Sequence, residues 1–422
     1  MKPVNGRSGT IQTVTWREDL AVLRHRDVRI FVTARFVSML GSSIAPIALV
    51  FAVLDVSDAA SAVGIVLAAR SIPNVVFLLV GGVISDRLPR KLVLIVANSV
   101  SGLTQALAAV LVLSGDAEIW QLAVIEALNG IASAFVLPAM VGILPSILDR
   151  SELPQANAVS GFARSIALIG GGAVAGVIVG LTSPGVGLAV DAVAFGLAAY
   201  LLTLLRVPRI ERSASSMLHD LRVGWTEFVS RQWVWTVVAG FLVLNMVFTA
   251  CYQTLGPVIA DDTFGRVGWG AVSAAFGAGL IAGGIVMIRL KPRYPVRIGM
   301  FGMLSIVPMY LVLALAPYTA AVAVVAFVVG VGFELFGIGW ETALGQHIPL
   351  DKLSRVSSYD MLGSFVAGPV GQLSVGYLAA VTSAKAVELY GAAVHVVVVV
   401  AVLLVPSVWR LQRHDGRPVD EV

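Results

Sequence analysis

Charged side chains stand inside long apolar stretches of this chain, among them Arg35, Arg70, Glu126, Arg164, Asp191, Glu334 and Glu341. Charge in such a setting is costly, so these groups pair, face water or exchange protons. Low dielectric favours the neutral form of a carboxyl, which suits Glu126 to loading and releasing a proton near neutral pH. At a rise of about 1.5 Å per residue, Arg70 and Glu126 fall at similar depth, roughly 10–15 Å from one end of their stretches. Together they form either a proton-responsive pair or a structural ion pair. Asp191 sits slightly shallower on the same side. Glu334 and Glu341 are two helical turns apart and share one face. Arg35 and Arg164 lie about 10 Å from the opposite end.

Other chemistries lack their residues. No Gly-x-x-x-x-Gly-Lys-Ser loop is present to hold ATP phosphates. The five histidines, His25, His219, His347, His395 and His414, have no metal-ligand spacing. Cys251 is the single cysteine, which excludes an internal disulfide and a thiolate cluster and makes it a small packing residue. No catalytic residue, metal or cofactor is expected, and the chain reads as a non-enzyme.

The elements that must position these charges are apolar. The 422 residues are 58% hydrophobic and 13% charged, far too greasy for a soluble domain. Twelve runs reach membrane-spanning length: 28–54, 62–84, 92–114, 119–144, 157–181, 186–205, 234–260, 270–290, 297–315, 318–345, 354–381 and 384–408. The first 27 residues are polar and carry Lys2, Arg7, Arg17, Arg24 and Arg26, unlike a signal peptide. Assigning the termini and alternate connections to one side places 23 of the 29 Lys and Arg there, against Arg266 and Lys385 on the other. By the positive-inside rule both termini are cytoplasmic. The basic excess therefore reports topology in a lipid bilayer and not a nucleic-acid footprint.

Between the second and third runs lies GGVISDRLPRKLVL, Gly81 to Leu94, read as a short charged turn at a water interface. Gly82, Asp86, Arg87, Arg90 and Lys91 resemble the signature loop of the major facilitator superfamily, with Pro89 where that family has Gly. Phe135, Pro138 and Ala139, Ala156–Asn157, Asp191, Ala192 and Phe195, then Trp340, Pro349, Arg355 and Val356, resemble its twelve-helix exporters of macrolides and of the siderophore enterobactin. The resemblance implies an all-α membrane protein: twelve transmembrane helices in two pseudo-symmetric six-helix bundles, the major facilitator fold. The expected units are a cytoplasmic arm 1–27, bundles 28–205 and 234–408, a cytoplasmic linker 206–233 and a tail 409–422. Leu218, Leu221, Val223, Trp225, Phe228 and Val229 interleave with charge, so the end of the linker is expected to be a surface amphipathic helix. The Gly-rich stretch Ser165–Gly180 matches Gly363–Gly376 about 200 residues on, as two repeats require.

The resemblance also implies roles. The loop set Gly82, Asp86, Arg87, Arg90 and Lys91 would hold an inner gate closed. Glu126, where exporters that run on protons carry Arg, would couple protons with Arg70, Asp191, Glu334 and Glu341 as further candidates. Arg35, Asn245, Tyr252, Gln253, Phe333 and Trp340 would line a substrate cavity. Gly172, Gly176, Gly180, Gly368, Pro369 and Gly371 would pack helices closely. The expected activity is export of small amphipathic drugs or natural products across the cytoplasmic membrane, by alternating access and proton antiport. The proton gradient would supply the energy, and a monomer is expected. The alternatives are a siderophore or metabolite carrier without proton coupling, and a non-transporting receptor or scaffold.

Overall fold

The computed structural model describes residues 20–57, 59–141, 143–149, 152–207 and 225–413. Among them, twelve helical segments are long and apolar enough to cross a membrane. They are α1 (Arg26–Val56), α2 (Ala60–Arg87), α3 (Arg90–Ser114), α4 (Ile119–Met140), α5 (Leu153–Leu181), α6 (Pro184–Thr203), α7 (Gln232–Thr263), α8 (Gly265–Leu290), α9 (Pro295–Leu315), α10 (Thr319–His347), α11 (Leu350–Val381) and α12 (Ala384–Leu403). No strand occurs among the described residues.

Helix boundaries follow local chemistry. Ser183 and Ser383, 200 residues apart, each cap a helix by accepting a backbone N–H, from Val186 and from Ala386. Gly115 ends α3 in the left-handed region that its missing Cβ permits. The charged turn after α2 is shorter than expected: α2 continues through Arg87 and α3 begins at Arg90, so only Leu88 and Pro89 connect them. The side chains of Gly82, Asp86 and Arg87, and most of the expected amphipathic helix, lie outside the described residues.

Packing is two-fold repeated. In the first half α3 and α1 pack on α6, α2 on α4, and α1 on α5; in the second, α9 and α7 pack on α12, α8 on α10, and α7 on α11. Between halves, α5 crosses α8 and α2 crosses α11. These crossings share one register. Gly176 meets Gly270 as Gly376 meets Ser61, and Gly172 meets Ser273 as Gln372 meets Gly64. Twelve crossings return the chain to the side where it began, called here the terminal face. On that face Arg26 and Lys91 donate to carbonyls at the end of α6, and Arg413 N–H donates to Arg293 O.

The end of the linker belongs to the second half. Residues 225–230 are helical, and Trp225 and Phe228 pack on Tyr359 of α11. Glu227 pairs with Arg231 and Lys352.

Candidate functional site

The two halves meet tightly on one side of the membrane and part on the other. A Cβ at Gly176 would lie 1.9 Å from Gly270 Cα, and one at Gly376 would lie 2.2 Å from Ser61 Cα. Neither substitution fits without moving a helix. An ion pair at 2.6 Å, Arg266 to Asp55, joins the halves at the same distal level, and Arg266 also holds Asp261. Toward the terminal face the same helices separate: nothing lies within 4 Å of a Cβ placed at Gly161 or Gly170 of α5, or at Gly368 of α11.

The cleft between them holds two adjoining chambers, of about 510 and 520 Å³. These are sizes that suit drug-like ligands. Arg70, Ser71, Gln253 and Gln372 line both. Asn74, Asn245 and Phe333 wall the first, while Tyr252, Trp269 and Ser273 wall the second. The lining thus alternates aromatic faces with hydroxyl and amide groups. Among the described lining residues Arg70 alone is charged. The wall of α7 is a π-turn, Thr249–Leu255, where one extra residue widens the helix.

Behind Arg70 lies the buried charge cluster. Gly130, one turn after Glu126, brings α4 against α2: a Cβ there would sit 2.1 Å from Arg70 O. The guanidinium consequently reaches Glu126 at 3.6 Å, close enough for charge attraction but too long for a hydrogen bond. Glu126 is fully buried, and Gln105 of α3 donates to its other oxygen at 2.8 Å. Asp191 of α6, also fully buried, faces Gly41 of α1 and lies within electrostatic reach of both Arg70 and Glu126. Neither Asp191 oxygen has a hydrogen-bond partner. One cation therefore stands among two carboxylates in an apolar bundle.

A second charge pattern lies nearer the terminal face. Arg35 and Arg164 neighbour one another in the first half, and Glu334 and Glu341 do so in the second. Arg164 acts on Glu334 across the cleft.

Three expectations are corrected by these positions. Trp340 does not line the cleft. It is buried in the core of the second half, stacked on Phe336 and edge-on to Trp233, and its indole N–H donates to Asp360. Arg35 is half-buried on α1 and lines neither of these two chambers. Gly368 and Pro369 face the first chamber; of that trio only Gly371 packs a helix, against Met246 O of α7. Lys91, of the expected gating set, caps the carbonyls of Thr203 and Leu205 within the first half in this arrangement, where the cleft is open on that side. The sequence reading paired Arg70 with Glu126 and set Asp191 at a similar level, and the fold gathers all three. It passed over Gln105, Asn74, Ser71, Gln372 and Glu388. Their one signal was a polar side chain inside an apolar run.

Residues 31–372 match the model of the Major Facilitator Superfamily. Macrolide efflux protein A of Streptococcus pyogenes is 22% identical over 271 residues, which cover 62% of this chain and 66% of that protein. Multidrug efflux pump Tap of Mycobacterium tuberculosis is 25% identical over 364 residues, 82% of this chain and 85% of the pump. The Staphyloferrin A transporter of Staphylococcus aureus is 28% identical over 281 residues, 65% and 68% of the two chains. The crystal structure of the nucleoside transporter NupG superposes with a TM-score of 0.69 at 14% identity, covering 89% of this chain and 98% of that one. That likeness is one of fold. The match across most of its length places the chain in the Major Facilitator Superfamily, as a multi-pass membrane transporter and not an enzyme.

Proposed function

We propose that this protein exports small amphipathic compounds from the cytoplasm by alternating access, driven by proton antiport. The terminal face is then the cytoplasmic side of the cell membrane, and the arrangement described here is open to the cytoplasm and closed outside. The observation that carries the reading is the double position of Arg70. It walls both chambers and, from behind, touches Glu126.

A cargo that engages Arg70 competes with the carboxylates for its charge. One guanidinium balances one carboxylate, so the cluster is neutral when Glu126 and Asp191 share one proton. Burying a net charge instead is strongly unfavourable. Cargo binding and proton release are thereby coupled through one side chain. Export, and not uptake, is supported by the efflux proteins among the relatives.

The test uses purified protein in liposomes with a pH-sensitive dye inside and a macrolide as cargo. Wild type couples macrolide movement to opposite proton movement, and Glu126→Gln uncouples the two. Proton-driven transport that survives Glu126→Gln would overturn the coupling role.

A second reading rests on the same Arg70, because a lone cation in the lining also suits a carboxylate-bearing cargo. Staphyloferrin A in the same liposomes decides between them: transport of it and not of the macrolide favours a siderophore carrier.

A further inference from the structure

A second buried acid lies in the other half, away from the cleft. Glu388 of α12 is fully buried, and neither carboxyl oxygen has a hydrogen-bond partner. Its surroundings are polar but uncharged. The Tyr310 hydroxyl of α9 is buried and also lacks a partner. Cys251 of the α7 π-turn points its thiol at Val387 O, 3.8 Å away, and both it and Tyr310 lie within electrostatic reach of Glu388.

The remaining titratable groups around α12 are otherwise engaged or turned away. His395, two turns along, bonds Met303 O through Nε2 and stacks edge-on to Tyr310. Lys385, one turn earlier, is exposed, as is Tyr377 of α11. Arg297 of α9 lies over Trp409 near the terminal face, and Asp360 of α11 holds Trp340. No cation among the described residues meets Glu388.

An ionised carboxylate with two unsatisfied oxygens in such a site carries the full desolvation penalty, whereas the neutral acid does not. The π-turn makes the site reachable. Its consecutive residues meet different neighbours: Cys251 points at Val387 O, beside Glu388, and Tyr252 lines the second chamber. One turn of backbone separates the acid from the cleft. A π-turn holds an extra residue that shifts along a helix without breaking it, and such turns are frequent at functional sites.

We propose that Glu388 is a second proton-binding site, in the second half, that exchanges its proton with cleft water through the α7 π-turn. On release, the Glu388 O–H bond breaks, the proton passes to a water admitted beside Cys251, and the carboxylate takes a hydrogen bond from the Tyr310 hydroxyl. Reloading reverses these steps. The site is independent of Arg70 and Glu126.

Infrared difference spectroscopy on the full chain in liposomes tests this without a cargo. The wild type shows a carboxylic-acid carbonyl band that is lost as pH is raised. Glu388→Gln removes that band, while Glu126→Gln and Asp191→Asn leave it. Failure of the coupling reading in the first half is thus separable from failure here. Maleimide labelling of Cys251 rises several-fold more steeply with pH in wild type than in Glu388→Gln. Should Glu388→Gln not fold, Tyr310→Phe serves, since loss of the hydroxyl shifts the titration of the same band. A band that survives Glu388→Gln, or one that ignores both pH and Tyr310→Phe, would overturn the proposal.

Discussion

Gly176→Ala tests the cleft most directly, because its one added carbon has nowhere to go. The new Cβ would sit 1.9 Å from Gly270 Cα, whereas carbon atoms in contact stand about 3.5 Å apart or more. The three nearest atoms are all backbone of Gly270, so no side chain can swing aside and α5 must move from α8 by about 1.6 Å. Overpacking of this kind costs about 1–3 kcal/mol. That cost falls only on the arrangement in which the halves touch at this level, since alternating access must part α5 from α8 in the other. A difference of about 1–3 kcal/mol shifts the balance between them about 5- to 150-fold. The assay is thiol accessibility. Gln253, in the lining of both chambers, is replaced by Cys in a Cys251→Ala background. A membrane-impermeant reagent is then added from the distal side. Labelling should quicken in Gly176→Ala by a factor in that range. Gly161→Ala, at a position with open space around it, should leave the rate unchanged. Equal rates in the parent and Gly176→Ala, with both proteins folded, would refute the idea that this crossing closes the cleft.

Further expectations follow from neighbouring contacts. Asp55→Asn removes the ion pair between halves but leaves Arg266 on Asp261, so distal labelling should rise only a few-fold, in line with about 0–1 kcal/mol for an exposed pair, and the difference should shrink in high salt. Phe333→Ala strips an aromatic wall from the first chamber and should weaken binding of an apolar cargo about tenfold or more, read by equilibrium binding. Trp340→Phe should do the reverse, lowering the thermal midpoint by the loss of its bond to Asp360 while leaving cargo affinity unchanged. Lys352 and then Arg231 hold the Glu227 carboxyl below the usual glutamate range. Its contribution to linker docking is therefore full above that ordinary range and is lost as pH falls through the lower folded value. Trp225 fluorescence should report the release on acidification, and Glu227→Gln should abolish the pH dependence.

Much of this architecture is written in local chemistry. A run of about 20 apolar residues has few options in a bilayer, since every backbone group must bond within its own segment. The twelve spans were accordingly legible one by one, and their boundaries moved by only a few residues. The repeat was visible as well, because Gly-rich stretches 200 residues apart face equivalent partners in the two crossings. Single charges in apolar runs stood out for the same reason: Glu126, Arg70 and Asp191 are conspicuous wherever they fold.

What sequence could not supply was which groups meet and which way each helix face turns. Trp340 and Phe333 sit two turns apart on one helix and looked alike, yet one is core and the other lines a chamber. That choice depends on the rotation of α10 against α8 and α9, which no single-helix pattern fixes when every face is apolar. Glu388, near the start of its run, drew no reading from the sequence, and only the packing of α9 and the α7 π-turn around it makes it a buried acid. The sequence alone determined that this chain crosses a membrane twelve times in two related halves. Tertiary structure decided that Arg70 stands between a cavity and two buried carboxylates, because that junction joins four helices whose mutual approach is set by Gly41 and Gly130, far apart along the chain.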